Sequence, residues 1–144
     1  MRISEALGIR PVDVQNLSNV KYIKLTKQID SKGLYVPLKT KEERYIPIIA
    51  EIKPVEAILY ENATVKLRPI IKALPDAKER KLTTHSLRHF FITNAKSYGI
   101  NPLIVETIAG HSLKGMEGVY TNFKPDDLKP ILEWQSEIYK KITE

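Results

Sequence analysis

The spacing of apolar positions changes twice along the chain. Ile3, Ala6 and Leu7 run up to Gly8 and predict the last turns of a helix, with the glycine at a C′-like position. A helix that short is marginal alone, so the chain is expected to be cut at its front. Over residues 9–17, Pro11 and Asp13 break any period and predict a turn or a one-turn helix. Alternation then dominates three short runs, residues 22–25, 34–38 and 44–48. Asp30-Ser31-Lys32-Gly33 and Lys39-Thr40-Lys41-Glu42-Glu43 separate them as polar turns. The pattern predicts a small three-stranded antiparallel sheet. Pro37 and Pro47 belong at its strand ends or edges.

After Pro54 the period becomes helical. Residues 55–60 and 65–74 are amphipathic, and Pro75-Asp76 ends them. Thr84 is expected to cap a helix carrying Leu87, Phe91 and Ala95 and closing at Tyr98-Gly99. Asn101-Pro102 opens another, with Leu103, Ile104 and Ile108 before Gly110. A short helix over 113–120 and an amphipathic tail over 125–142, with Leu128, Ile131, Leu132, Trp134, Ile138 and Ile142, complete the pattern. The fold class is α+β: mostly helical, one small sheet near the front, and one domain of 144 residues.

Composition narrows the class. Hydrophobic content of 42% with 28% charged residues excludes global disorder. The chain has no cysteine, so disulfide frameworks and thiolate metal sites are excluded. No apolar run approaches the ~18–20 residues of a membrane span, and no apolar signal core follows the first residues. A cytoplasmic domain without a membrane partner is expected. The net charge of +6 sits in residues 65–96, where eight Lys and Arg face two Asp and Glu. Lys66, Arg68, Lys72, Lys78, Arg80 and Lys81 in that segment fit a phosphate-backbone footprint, and equally a solvated helix face. Few aromatics interleave them, which argues against a platform for stacking single-stranded bases.

Candidate chemistry is concentrated in Thr84-His85-Ser86-Leu87-Arg88-His89-Phe90-Phe91, Ala109-Gly110-His111-Ser112 and Tyr120. His85 and Arg88 are three apart and share a helix face. Such a pair near a helix N-terminus suits a phosphate. His85 and His89 are four apart, a zinc-like spacing, but no glutamate follows His85 and Arg88 would set a positive charge beside the metal. No metal and no cofactor are expected.

The order His-x-x-Arg, Gly-His, then a tyrosine nine residues on resembles the tyrosine site-specific recombinase family of phage-integrase and Xer type. Met1-Arg2-Ile3-Ser4-Glu5-Ala6-Leu7 is similar to that family's first arginine box, with Arg2 at the catalytic position. The family also carries a catalytic lysine in a β-turn, which matches Lys39, with Lys41 a near rival. The resemblance spans essentially the whole chain. It implies a catalytic domain lacking both the family's N-terminal DNA-clamping domain and the helix leading into Arg2.

The resemblance implies metal-independent cleavage and rejoining of double-stranded DNA through a 3′-phosphotyrosine. Tyr120 would be the nucleophile, and Arg2 and Arg88 would grip the nonbridging oxygens. His85 would take the phenol proton, Lys39 would protonate the leaving 5′-oxygen, and His111 would hydrogen-bond the phosphate. A DNA-binding fragment that no longer cleaves, and a topoisomerase of type IB, are the alternatives. Self-association on DNA through the tail at 125–144 is the further expectation.

Overall fold

A computed structural model describes residues 1–17, 19–41, 43–48, 60–111 and 123–143. Helix α1 is Ile3–Leu7, followed by a 3-10 turn at Pro11–Asp13. Strands β1 (Val14–Leu17), β2 (Val20–Leu25), β3 (Lys27–Ile29), β4 (Tyr35–Pro37) and β5 (Arg44–Pro47) come next. Helices α2 (Tyr60–Lys72), α3 (Thr84–Ser97) and α4 (Pro102–Ala109) follow, and a 3-10 turn at Pro125–Leu128 leads into α5 (Lys129–Thr143). The α+β class read from the sequence holds.

The three-stranded antiparallel sheet has the order β1-β2-β5, so its membership differs from the expected one. Residues 22–25 and 44–47 do pair, with Ile23 opposite Ile46 and Leu25 opposite Arg44. The third strand is β1, whereas β4 pairs with β3 in a separate hairpin. Both surprises have one cause. β1 has no buried position and β3 reads Lys-Gln-Ile, so neither shows the apolar alternation that marks a strand. Main-chain pairing makes them strands. Asp30 turns the β3–β4 hairpin: its Oδ1 accepts from the amides of Lys32 and Leu34 at 2.8 and 2.9 Å, and Gly33 takes φ 80°. Pro47 ends the edge strand β5, where a missing N–H costs nothing in the ladder.

Local chemistry sets the helix ends. Asn101 Oδ1 accepts from the Leu103 amide at 2.9 Å, Pro102 opens α4, and Gly110 closes it at φ 74°. The cap of α3 is Thr83, one residue before the expected Thr84, and its amide donates to Ser86 Oγ at 3.0 Å. The buried stripe of α3 is also rotated. Arg88 and Ala95 are buried and Phe91 is half-buried, whereas Leu87 is 54% exposed. Helix α2 runs through the first part of the expected 65–74 stretch with Pro69 inside it. It buries Ala63 and Ile71 and leaves Val65 and Ile70 outward. Of the expected 55–60 stretch only Tyr60 is described, as the first residue of α2, and the expected helix over 113–120 lies outside the described residues.

One core joins the sheet to the helices: Ile23, Leu25 and Ile46 from the strands meet Ile104, Val105 and Ile108 of α4. The tail closes it from the other side through Leu128, Ile131 and Trp134, and Trp134 meets Phe91 edge-on at 5.6 Å. Burial of three large apolar side chains, each worth about 1.5–3 kcal/mol, anchors the tail on its own chain. No helix among the described residues is long and apolar enough to cross a membrane.

Candidate active site

The first turn of α1 carries Arg2 as its cap residue. The Arg2 amide donates to Glu5 Oε2 at 2.5 Å and its Nη1 donates to Oε1 at 3.0 Å. Glu5 is fully buried and shared, since Arg44 Nη2 on β5 donates to the same Oε2 at 2.7 Å. Burial pushes the Glu5 carboxyl up, but Arg44 and then Arg2 more than reverse this and hold it below the usual carboxylate range. Arg44 also donates through Nε to the carbonyl of Ile108 at 3.3 Å. Its guanidinium lies directly under Gly110, where a Cβ would stand 2.5 Å from Nη2. One buried ion pair thus ties the helix of Arg2 to the turn that presents His111.

A second link fixes the other wall. Ser4 Oγ donates to Gln28 Oε1 at 3.1 Å, and Gln28 Nε2 donates to the carbonyl of Pro37 at 3.0 Å. This buried amide joins α1 to the hairpin that runs on to Lys39.

Between these elements lies a cleft of about 530 Å³ lined by Arg2, Lys39, His85 and Arg88, together with Ser4, Gln28 and Asp30. Four of the six expected catalytic residues therefore share one cavity. Lys41 does not line it and stands at φ 57° in the turn; both lysines are exposed. Arg88 is only 7% exposed, and its Nη1 is buried without a hydrogen-bond partner among the described residues. Burial, and next the charge of Arg2, push its guanidinium down from the usual arginine value. It still carries its charge at neutral pH, because arginine starts so high.

His85 lies edge-on to His89 with ring centroids 4.7 Å apart. Desolvation first, then the charges of His89, Arg88, His111 and Arg2, push its imidazole below the ordinary histidine value. It is therefore neutral at pH 7 and able to accept a proton. His111 stands outside the cleft lining, half exposed after α4, with Nδ1 bonded to Glu106. Tyr120 lies outside the described residues.

The six cations expected to meet DNA are exposed: Lys66, Arg68 and Lys72 on α2, and Lys78, Arg80 and Lys81 on the turn after it. None lines the cleft, and none is in an ion pair among the described residues. Arg80 lines a separate cavity of about 640 Å³ against α3 with Asp76, His89 and Asn94. Glu5, Arg44 and Gln28 went unnoticed in the sequence. The signal available was phase: Arg44 alternates with buried Ile46 on β5, so its side chain had to point into the core.

The chain is 29% identical to the tyrosine recombinase XerC of Rickettsia prowazekii over an alignment of 150 positions, 87% of this chain and 48% of that protein. It is 30% identical to the XerC of Anoxybacillus flavithermus over 149 positions, 90% of this chain and 48% of that protein. The XerC of Rickettsia typhi is 26% identical over the same 87% and 48%. These similarities support the tyrosine recombinase family for this chain. The chain spans about half the length of the curated relatives it matches. No protein-family profile and no solved structure matches the chain. The shared cleft gathers four of the residues that the sequence resemblance singled out: Arg2, Lys39, His85 and Arg88.

Proposed function

We propose that the chain is the catalytic part of a DNA strand-exchange enzyme that cleaves and rejoins duplex DNA through a 3′-phosphotyrosine. The observation that carries this reading is the buried Arg88 guanidinium, whose Nη1 has no hydrogen-bond partner among the described residues, in a cleft that also holds Arg2, Lys39 and His85. A buried N–H without an acceptor is costly unless a ligand completes it. A phosphodiester is an anion of the right size and presents two nonbridging oxygens to the two planar guanidinium forks.

In the reaction, the Tyr120 oxygen attacks phosphorus and the P–O5′ bond breaks. Neutral His85 accepts the phenol proton. Arg2 and Arg88 stabilise the charge that develops on the nonbridging oxygens. Lys39 supplies the proton that the leaving 5′-oxygen requires. Keeping the phosphate as a tyrosine ester lets a second 5′-hydroxyl reseal the strand by the reverse of these steps, so no external energy source is used. The exposed cations of α2 and the turn after it add phosphate contacts along the duplex.

Self-association on DNA through the tail belongs to the same reading. Since the tail fills the core of its own chain with Leu128 of the 3-10 turn and Ile131 and Trp134 of α5, docking on a neighbour would exchange those contacts for equivalent ones. Sedimentation of the full chain with and without duplex DNA tests it, and an unchanged mass on DNA would count against exchange.

A nicked suicide duplex, from which the 5′-hydroxyl fragment diffuses away after cleavage, tests the whole reading. A covalent complex is expected with the full chain and none with Tyr120→Phe. Binding without any covalent complex would leave a DNA-binding module in place of an enzyme.

A further inference from the structure

We propose that Glu106 is the positioning residue of His111: its carboxylate accepts from Nδ1–H, so that in the doubly protonated ring Nε2–H is the donor left for the phosphate; the catalytic consequence rests on the cleavage reading above. Glu106 lies one turn before the end of α4 and grips the following turn twice. Its carbonyl accepts from the amides of Gly110 and His111 at 2.9 and 3.0 Å. Its carboxylate meets His111 Nδ1 through Oε2 and Lys96 Nζ of α3 through Oε1. Main chain and side chain of one residue therefore fix both the position and the rotation of the ring.

The protonation pattern follows from the chemistry of the partners. Glu106 is only 14% exposed at its side chain, whereas Lys96 and His111 are 37% and 41% exposed. An ionised carboxylate only accepts hydrogen bonds, so the nitrogen facing it must carry hydrogen. Burial pushes the Glu106 carboxyl up, yet its bonds to Lys96 and His111 bring it below the usual value, which supports the ionised form. A neutral histidine free in water favours hydrogen on Nε2 instead, so Glu106 selects the less common tautomer. Lys96 keeps the carboxylate from swinging away, since it binds the oxygen that His111 does not use. Without Glu106 the half-exposed ring would be free to turn and to exchange its protonated nitrogen.

Nitrogen NMR of the full chain labelled in histidine reads this directly, with His111 assigned by its loss in His111→Gln. At a pH above the histidine range the wild type should show hydrogen on Nδ1 and a bare Nε2. Glu106→Ala should shift the population toward Nε2–H. An Nε2–H ring in the wild type, or no change in Glu106→Ala, overturns the assignment. Single-turnover cleavage of the suicide duplex supplies the second readout. Glu106→Ala should slow it on the order of 10- to 100-fold, as small misplacements of a reacting group do. Glu106→Gln, which keeps an accepting oxygen, should recover much of that loss. In a His111→Ala background the Glu106→Ala change should slow cleavage no further. Equal slowing in both backgrounds would make Glu106 merely structural and overturn the proposal. A wild type that shows the Nδ1–H ring but cleaves no DNA would sink the cleavage reading and leave the Glu106–His111 assignment standing.

Discussion

Glu5 and Arg44, separated by 39 positions in sequence, meet at 2.7 Å with side chains 0% and 4% exposed. This pair is the pivot of the cleft. The same carboxylate holds Arg2, and the same guanidinium supports the Gly110 turn.

Glu5→Ala should destabilise the chain by about 3–5 kcal/mol, because it strands the Arg44 charge in the core. Denaturant unfolding measures it. A loss below 1 kcal/mol would mean that the pair is solvated in solution.

Acid should act through the same residue. The folded Glu5 carboxyl lies below its ordinary value of 4.5, so the folded chain binds this proton less readily than the unfolded one. Its contribution is complete above that ordinary value and is lost as pH falls through the lower folded value. Melting temperature against pH should therefore fall less steeply on the acid side in Glu5→Gln than in the wild type.

Gly110→Ala should cost more than the 1–2 kcal/mol or so of a left-handed alanine. The residue sits at φ 74°, and the new Cβ would meet Arg44 Nη2 at 2.5 Å. The same substitution at Gly99, at φ 94° with open space around it, should cost only the backbone strain. Thermal melts of the two variants make the comparison.

Arg88→Met should leave stability unchanged or raise it by roughly 1 kcal/mol, since a buried guanidinium with an unsatisfied Nη1 is replaced by an apolar chain. Cleavage should fall by a factor on the order of 100–1,000, the usual cost of removing one group that stabilises developing charge. A marked loss of stability would show that Arg88 is structural.

What could be read from the sequence was local. Asn101, Pro102 and Gly110 bracket α4 because capping chemistry acts over a few residues. The Arg2, Lys39, His85 and Arg88 pattern placed four side chains that the fold then brought to one cleft. Pairing was not legible. β1 and β3 carry no apolar alternation, so only their partners make them strands. On α3 the reading followed Leu87 inward, because a leucine normally outranks an arginine for burial. The fold buries Arg88 and exposes Leu87, reversing that order at the cleft. Glu5 and Arg44 form the same kind of exception, two charges whose contact exists only in three dimensions.

The central claim is that this cleft serves a covalent attack on DNA by Tyr120. Mass spectrometry of the peptide that carries DNA, recovered from the full chain trapped on a suicide duplex, tests it most directly. The expected result is a single modified peptide with the nucleotide on Tyr120, lost in both Arg88→Met and Tyr120→Phe. Attachment at Tyr139 or another tyrosine, or attachment that survives Arg88→Met undiminished, would contradict the account.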